Sequence, residues 1–288
     1  MAGWKYECLF ESELLPEAED LSRYWRRQPS EIQAGRMGYR RSVTLAGDRL
    51  ECEIYPVFGR EDEAKARAAK KNRTPEKQKR LNAERARRHL VQLADANFTE
   101  KDIHLTLTYR AEATVEQARK DVRNFLLRVK RFREKFGIGE LKYIYTIEGG
   151  RETKHGGVNR VHVHMLMNQG VSREKLEEMW EMGYANADRL QPNERGLEEI
   201  ASYIIKEATH GGKKFSASRN LKQPQRRVSD ARTSNRTVKA IARDIRNEAK
   251  SEMEKIYPRY SFVDCHVYYS DNIDGVYIRV LMRRRRTR

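Results

Sequence analysis

Cysteine is scarce in this chain. Cys8, Cys52 and Cys265 are too few and too scattered for a disulfide framework or a zinc ribbon. Long apolar runs are missing as well: no stretch approaches the ~20 residues of a membrane span. The first residues, Met1 to Cys8, lack the apolar core of a signal peptide. No G-x-x-x-x-G-K-[ST] spacing occurs; the basic loop Gly211 to Lys222 is not a phosphate-binding P-loop, and no helicase motor is apparent. These absences point to a cytoplasmic protein in a reducing compartment, with no membrane and no ATP-driven step of its own. What is abundant is positive charge. The 288 residues carry 59 Lys and Arg against 42 Asp and Glu, a formal net charge of +17. A surplus of that size argues for a polyanionic partner, nucleic acid first. The 38 % hydrophobic content still leaves enough for a core.

Local patterning gives an α+β expectation. Tyr39 to Phe58 reads as a β-hairpin, with Val43 and Leu45 before the turn at Gly47-Asp48 and Leu50, Cys52 and Ile54 after it. Trp4, Tyr6, Leu9 and Phe10 suit an edge strand. From Glu61 to Ala96 the composition turns to Ala, Lys and Arg and suggests two helices broken at Thr74-Pro75. The second has an apolar stripe of Leu81, Leu90, Val91 and Leu93. Its arginines, Arg85, Arg87 and Arg88 among them, suit either a phosphate-contacting arm or a solvated face.

Asp102 to Tyr109 alternates as a strand, with Ile103, Leu105 and Leu107 on one face and His104, Thr106 and Thr108 on the other. Thr114 and Gln117 form a capping box for a helix with the stripe Ala118, Val122, Phe125, Leu126, Val129 and Phe132, stopped at Gly137. Leu141 to Ile147 is a strand ending at Glu148. A glycine-rich connection returns it to a strand at Arg160 to Asn168, giving an antiparallel hairpin. Ser172 caps a short helix carrying Leu176, Met179 and Trp180. Asn186 to Gly196 is expected as a loop, and Leu197 to Ala208 as a helix. Thr237 to Ile256 is expected as one helix, followed by a hairpin of Ser261 to Tyr269 with Val276 to Met282 and a basic tail, Arg283 to Arg288. The domain expectation is a β segment at 1–60, a basic helical arm at 61–97, a core at 98–222 and a helix, hairpin and tail at 223–288.

The chemistry centres on His162-Val-His164. Side chains two apart on a strand share a face, so both imidazoles can serve one divalent ion. If the hairpin closes at Glu148, its carboxylate reaches the same ion. Two imidazoles and a carboxylate suit Mn²⁺ or Mg²⁺ acting on a phosphate, and equally Zn²⁺ or Fe²⁺. A cupin also uses His-x-His, but its glutamate a few residues later is missing from Met165 to Gly170. Tyr203 and Lys206, three apart, share a helix face. A phenol has an ordinary pKa near 10, so a nucleophilic Tyr203 needs a polarised phosphate or a base. The blander alternatives are a packed strand histidine pair, a rim tyrosine and a solvated lysine.

Taken in order, the Thr-bearing strand Leu105 to Tyr109, Glu148, His162-Val-His164 and Tyr203-Ile-Ile-Lys206 resemble the HUH endonuclease superfamily. The particular likeness is to single-tyrosine rolling-circle replication initiators of small phages, plasmids and integrative elements. The resemblance covers roughly Phe98 to Leu221. It implies a central antiparallel sheet with helices packed on it, plus the basic arm and terminal hairpins. It implies metal ligands His162, His164 and Glu148 for Mn²⁺ or Mg²⁺. Tyr203 is implied as a nucleophile that keeps the 5′-phosphate of a nicked strand, and Lys206 as the residue holding the scissile phosphate. The implied partners are single-stranded DNA at a replication origin and a host helicase and polymerase, in the cytoplasm of a bacterial cell. Arg85, Arg87, Arg88, Tyr109, Lys213, Lys214 and Arg219 are candidate DNA contacts, with Tyr143 and Phe215 as further stacking candidates. A conjugative relaxase, a single-strand transposase and a non-catalytic DNA-binding protein remain as alternatives.

Overall fold

The computed structural model describes residues 38–56, 75–150, 158–206, 214–269 and 276–285. In chain order these form β1 (Tyr39–Ala46), β2 (Arg49–Pro56), α1 (Pro75–Asn97), β3 (Ile103–Tyr109), α2 (Val115–Lys135), β4 (Tyr143–Glu148) and β5 (His162–Met167). There follow α3 (Arg173–Met179), β6 (Gly183–Arg189), α4 (Glu198–Lys206), β7 (Ser216–Ala217), β8 (Gln225–Thr233), α5 (Asn235–Arg243), α6 (Asn247–Ile256), β9 (Tyr260–Tyr269) and β10 (Val276–Arg284). The fold is α+β, with two five-stranded antiparallel sheets. Two compact units result, one of residues 85–223 and one of residues 1–84 with 224–288. Expectations for Trp4 to Phe10, the first basic helix, Phe58, the connection at 151–157, Ala208 and the last three residues lie outside the described residues.

The sheet of residues 85–223 has the order β6-β3-β5-β4-β7. Strict alternation gives it two different faces. Ile103, Leu105 and Leu107 of β3, Ile147 of β4 and Val163, Met165 and Met167 of β5 enter one core, where Val122, Phe125 and Val129 of α2 and Leu176 of α3 meet them. Trp180 closes this core edge-on to Tyr109 and Phe125, and its indole N–H donates to the Thr108 carbonyl at 2.9 Å. Thr114 caps α2 by accepting from the Gln117 backbone N–H at 3.1 Å. The Gln117 amide donates to Asp121 instead of returning to the cap. Gly137, with φ +63°, ends the helix as expected.

The opposite face is graded along β4 and β5. Ile144 pairs with Leu166, Thr146 with His164, and Glu148 with His162. The apolar rung is buried by Leu90, Val91 and Leu93 of α1 and by Ala201, Ile204 and Ile205 of α4. The polar rungs lie beyond that cover.

Two expectations are corrected here. Residues 183–189 are not loop but β6, paired with β3 from Gly183 opposite Tyr109 to Arg189 opposite Ile103. Gly, Ala, Asn and Asp have low strand propensity, and backbone pairing to β3 overrides it at this edge. The single helix expected at Thr237 to Ile256 is two, α5 and α6. The break falls at Asp244, whose carboxylate accepts from the N–H groups of Arg246 and Asn247 at 3.2 and 2.9 Å. This competition with the helix is typical of aspartate.

The second unit has the sheet order β8-β1-β2-β10-β9. The hairpins near the two ends of the chain therefore share one sheet, because β10 pairs with β2. Leu50, Cys52 and Ile54 face Val238 and Ile241 of α5 and Ala249 and Met253 of α6. Cys52 and Cys265 are free and buried. Among the described residues, no helix is long and apolar enough to cross a membrane.

Candidate active site on the open sheet face

Antiparallel pairing sets Glu148 directly opposite His162. Glu148 Oε2 lies 3.4 Å from the Nε2 atoms of both His162 and His164. One potential ligand atom from each of the three residues falls within 4.8 Å of the others. Gly149 makes the closure possible: its φ is +93°, and a Cβ there would collide with the Arg160 carbonyl oxygen.

The hydrogen bonds orient the ligand atoms. His162 Nδ1 lies 3.1 Å from the Arg160 carbonyl, which can only accept, so the ring proton is on Nδ1 and Nε2 keeps its lone pair. His164 is 3 % exposed, and its Nε2 is buried without a hydrogen-bond partner. Burial, followed by the neighbouring His162 and His104, pushes its pKa down to about 4, so it is neutral near pH 7. A carboxylate oxygen thus faces two ring nitrogens, one of them buried and unsatisfied. A divalent cation fits that donor set.

Tyr203 comes from α4. Its ring packs edge-on to His164, with centroids 5.3 Å apart at 71°, while 58 % of the residue is exposed. The apolar residues Ala201, Ile204 and Ile205 anchor the buried side of the helix. Two polar ties from α1 fix it further. Asp95 accepts from the Leu197 N–H at 3.0 Å, satisfying an orphan donor before the first turn, and Arg87 donates to Ser202 Oγ at 2.9 Å. Lys206 is exposed at the last described position of α4.

The candidate DNA contacts fare differently. Tyr109 is not on the open face. It continues the Ile103, Leu105, Leu107 series, is 8 % exposed, and donates its hydroxyl to Asp121 at 3.1 Å. Arg85, Arg87, Arg88 and Lys214 are half-buried and engaged in interactions, not projecting as a free arm. Arg219 is exposed. Tyr143 and Phe215 pack partly buried against the two cores. Lys213, Glu207 and His210 lie outside the described residues.

Two polar residues escaped the sequence reading of the site. His104 Nε2 lies 3.3 Å from His164 Nδ1, and Asp188 is the register partner of His104 on β6. Alternation on β3 already put His104 on the face of Thr106 and Thr108. Asp188 had no such signal, because its strand was not recognised.

Residues 102–211 match the model of a family described as replication-associated protein, of the ORF2 type. The span holds β3, the three clustered ligands and Tyr203. The match supports a replication-initiator family and so a role in DNA replication. No curated protein and no solved structure matches the chain.

Proposed function

We propose that the protein is a rolling-circle replication initiator that nicks and rejoins single-stranded DNA through a 5′-phosphotyrosine on Tyr203. The observation that carries this reading is the convergence of Glu148, His162 and His164 beneath the exposed Tyr203 ring. Glu148, His162 and His164 would hold Mn²⁺ or Mg²⁺. Such an ion supplies Lewis-acid polarisation of a phosphate oxygen.

The chain's own residues do the rest. The Tyr203 oxygen attacks phosphorus, its proton passes to solvent or a nearby base, and the 3′-oxygen of the preceding nucleotide leaves. The new tyrosyl ester preserves the phosphodiester energy, so a 3′-hydroxyl can later reverse the step without ATP. Lys206, one helical turn from Tyr203, offers a cation to the transferring phosphate. The freed 3′-hydroxyl would prime a host polymerase, with a host helicase opening the duplex. The net charge of +17 supplies the attraction to the DNA backbone.

The test is incubation of the full chain with labelled single-stranded DNA bearing the origin of its own element, with Mn²⁺, followed by a denaturing gel. We expect an SDS-resistant adduct that disappears with Tyr203→Phe and with EDTA. DNA binding without any adduct, across several metals, would move the assignment to a non-catalytic DNA-binding protein. Adduct formation at a transfer origin or transposon end instead would make the protein a relaxase or transposase of the same chemistry.

A further inference from the structure

A third imidazole lies behind the ligand pair. His104 stands on β3 and is half-buried. Its ring stacks on His164 at 18° with centroids 5.4 Å apart. The contact atoms are His104 Nε2 and His164 Nδ1, 3.3 Å apart, and Thr106 Oγ1 lies 3.3 Å from the same Nδ1. On the far side of β3, Asp188 pairs in register with His104 and acts on it electrostatically. Asn186 holds Asp188 with an amide hydrogen bond of 2.9 Å.

A neutral imidazole carries one N–H and one lone pair. If the His164 Nε2 lone pair points toward Glu148 and His162, its proton must sit on Nδ1, and that N–H needs an acceptor. The Thr106 hydroxyl can donate or accept, so it selects neither tautomer. His104 Nε2 selects one, provided that the proton of His104 is on the other nitrogen. Asp188 favours that arrangement, since a carboxylate only accepts and it lies across β3 from His164.

We infer that His104 is a positioning residue for His164: it accepts the Nδ1 proton of His164 and holds the Nε2 lone pair toward Glu148 and His162, with Asp188 setting the tautomer of His104. The inference rests on the reading of Glu148, His162 and His164 as a metal centre. Partners of this kind typically change metal affinity roughly 10–100-fold when removed.

Calorimetric titration of the full chain with MnCl₂ should show His104→Leu weakened by roughly 10–100-fold. His104→Gln, whose amide oxygen can accept the same proton, should stay within several-fold of the parent. In the metal-free chain, ¹⁵N-histidine NMR should find His164 as the Nδ1–H tautomer. His104→Leu should introduce the Nε2–H form, and His104→Gln should not. Equal affinity of His104→Leu and the parent, or equal losses with Leu and Gln, would overturn the inference. Absence of Mn²⁺ binding to the parent would defeat the metal reading itself; the tautomer then decides alone, and an Nε2–H His164 would overturn the positioning role. Should His104→Leu fail to fold, Asp188→Asn on the exposed edge strand provides the same test. It should raise the Nε2–H fraction of His164, and an unchanged spectrum would count against the inference.

Discussion

His164 concentrates the physical conflict of this protein in one side chain. It is buried at 3 % exposure with an unsatisfied ring nitrogen, beside two other imidazoles. Its folded pKa of about 4 lies below the ordinary 6.5 because burial, then His162 and His104, oppose its charge. The unfolded chain therefore takes up a proton first as pH falls. Metal-free protein should lose stability between about pH 6.5 and 4, by an amount on the order of 3 kcal/mol. Urea titrations of the chain in EDTA should show this slope, and His164→Gln should remove most of it. At or above pH 7 the contribution is constant, because both states are neutral there.

Elements matter here for how they aim residues. β4 and β5 can bring Glu148 against His162 only if the chain turns immediately afterwards, and Gly149 permits that turn. Gly149→Ala would combine a strained positive φ with a collision against the Arg160 backbone. We expect a lowered Tm and a Mn²⁺ affinity reduced at least tenfold, measured by differential scanning fluorimetry and calorimetry. An unchanged affinity would mean that the hairpin closes another way. The helix α4 is aimed from α1 through Asp95 and Arg87. Asp95→Ala should cost about 1 kcal/mol, as loss of a helix N-terminal acceptor does. It should slow adduct formation by Tyr203 more than it weakens DNA binding, a difference that single-turnover assays resolve.

At the scale of the molecule, charge is the dominant property. A net +17 spread over two sheets and six helices among the described residues produces a long-range attraction for polyanions. Single-stranded DNA affinity should fall steeply with salt. A log–log slope steeper than about −2 would correspond to at least three phosphate contacts at roughly 0.7 each. A flat salt response in fluorescence anisotropy would remove charge as the basis of binding. The candidates at Arg85, Arg87 and Arg88 are already engaged within the fold. Exposed cations such as Lys206 and Arg219 are the better positions to neutralise first.

Period-two and helical patterns sufficed for β3, α2, the β4–β5 hairpin and the terminal hairpins, because each buries a continuous apolar face. The ligand trio Glu148, His162 and His164 was legible for the same reason: two histidines two residues apart, and a carboxylate at a strand end beside a tight glycine turn. Even the burial of Tyr109 was implicit in the odd-numbered series of its strand. Only the tertiary structure decided the rest. The edge strand β6 lacks an apolar face and exists through its backbone pairing to β3, so Asp188 could not be located before that pairing was known. Nor could local sequence determine that α4 would pack Tyr203 against His164, or that His104 would stack behind the same ring. Such contacts depend on which strands lie side by side and where a helix crosses them. Asp95 and Leu197, 102 positions apart in sequence, meet there, as do His104 and His164, 60 apart, and local propensity carries no information about such meetings.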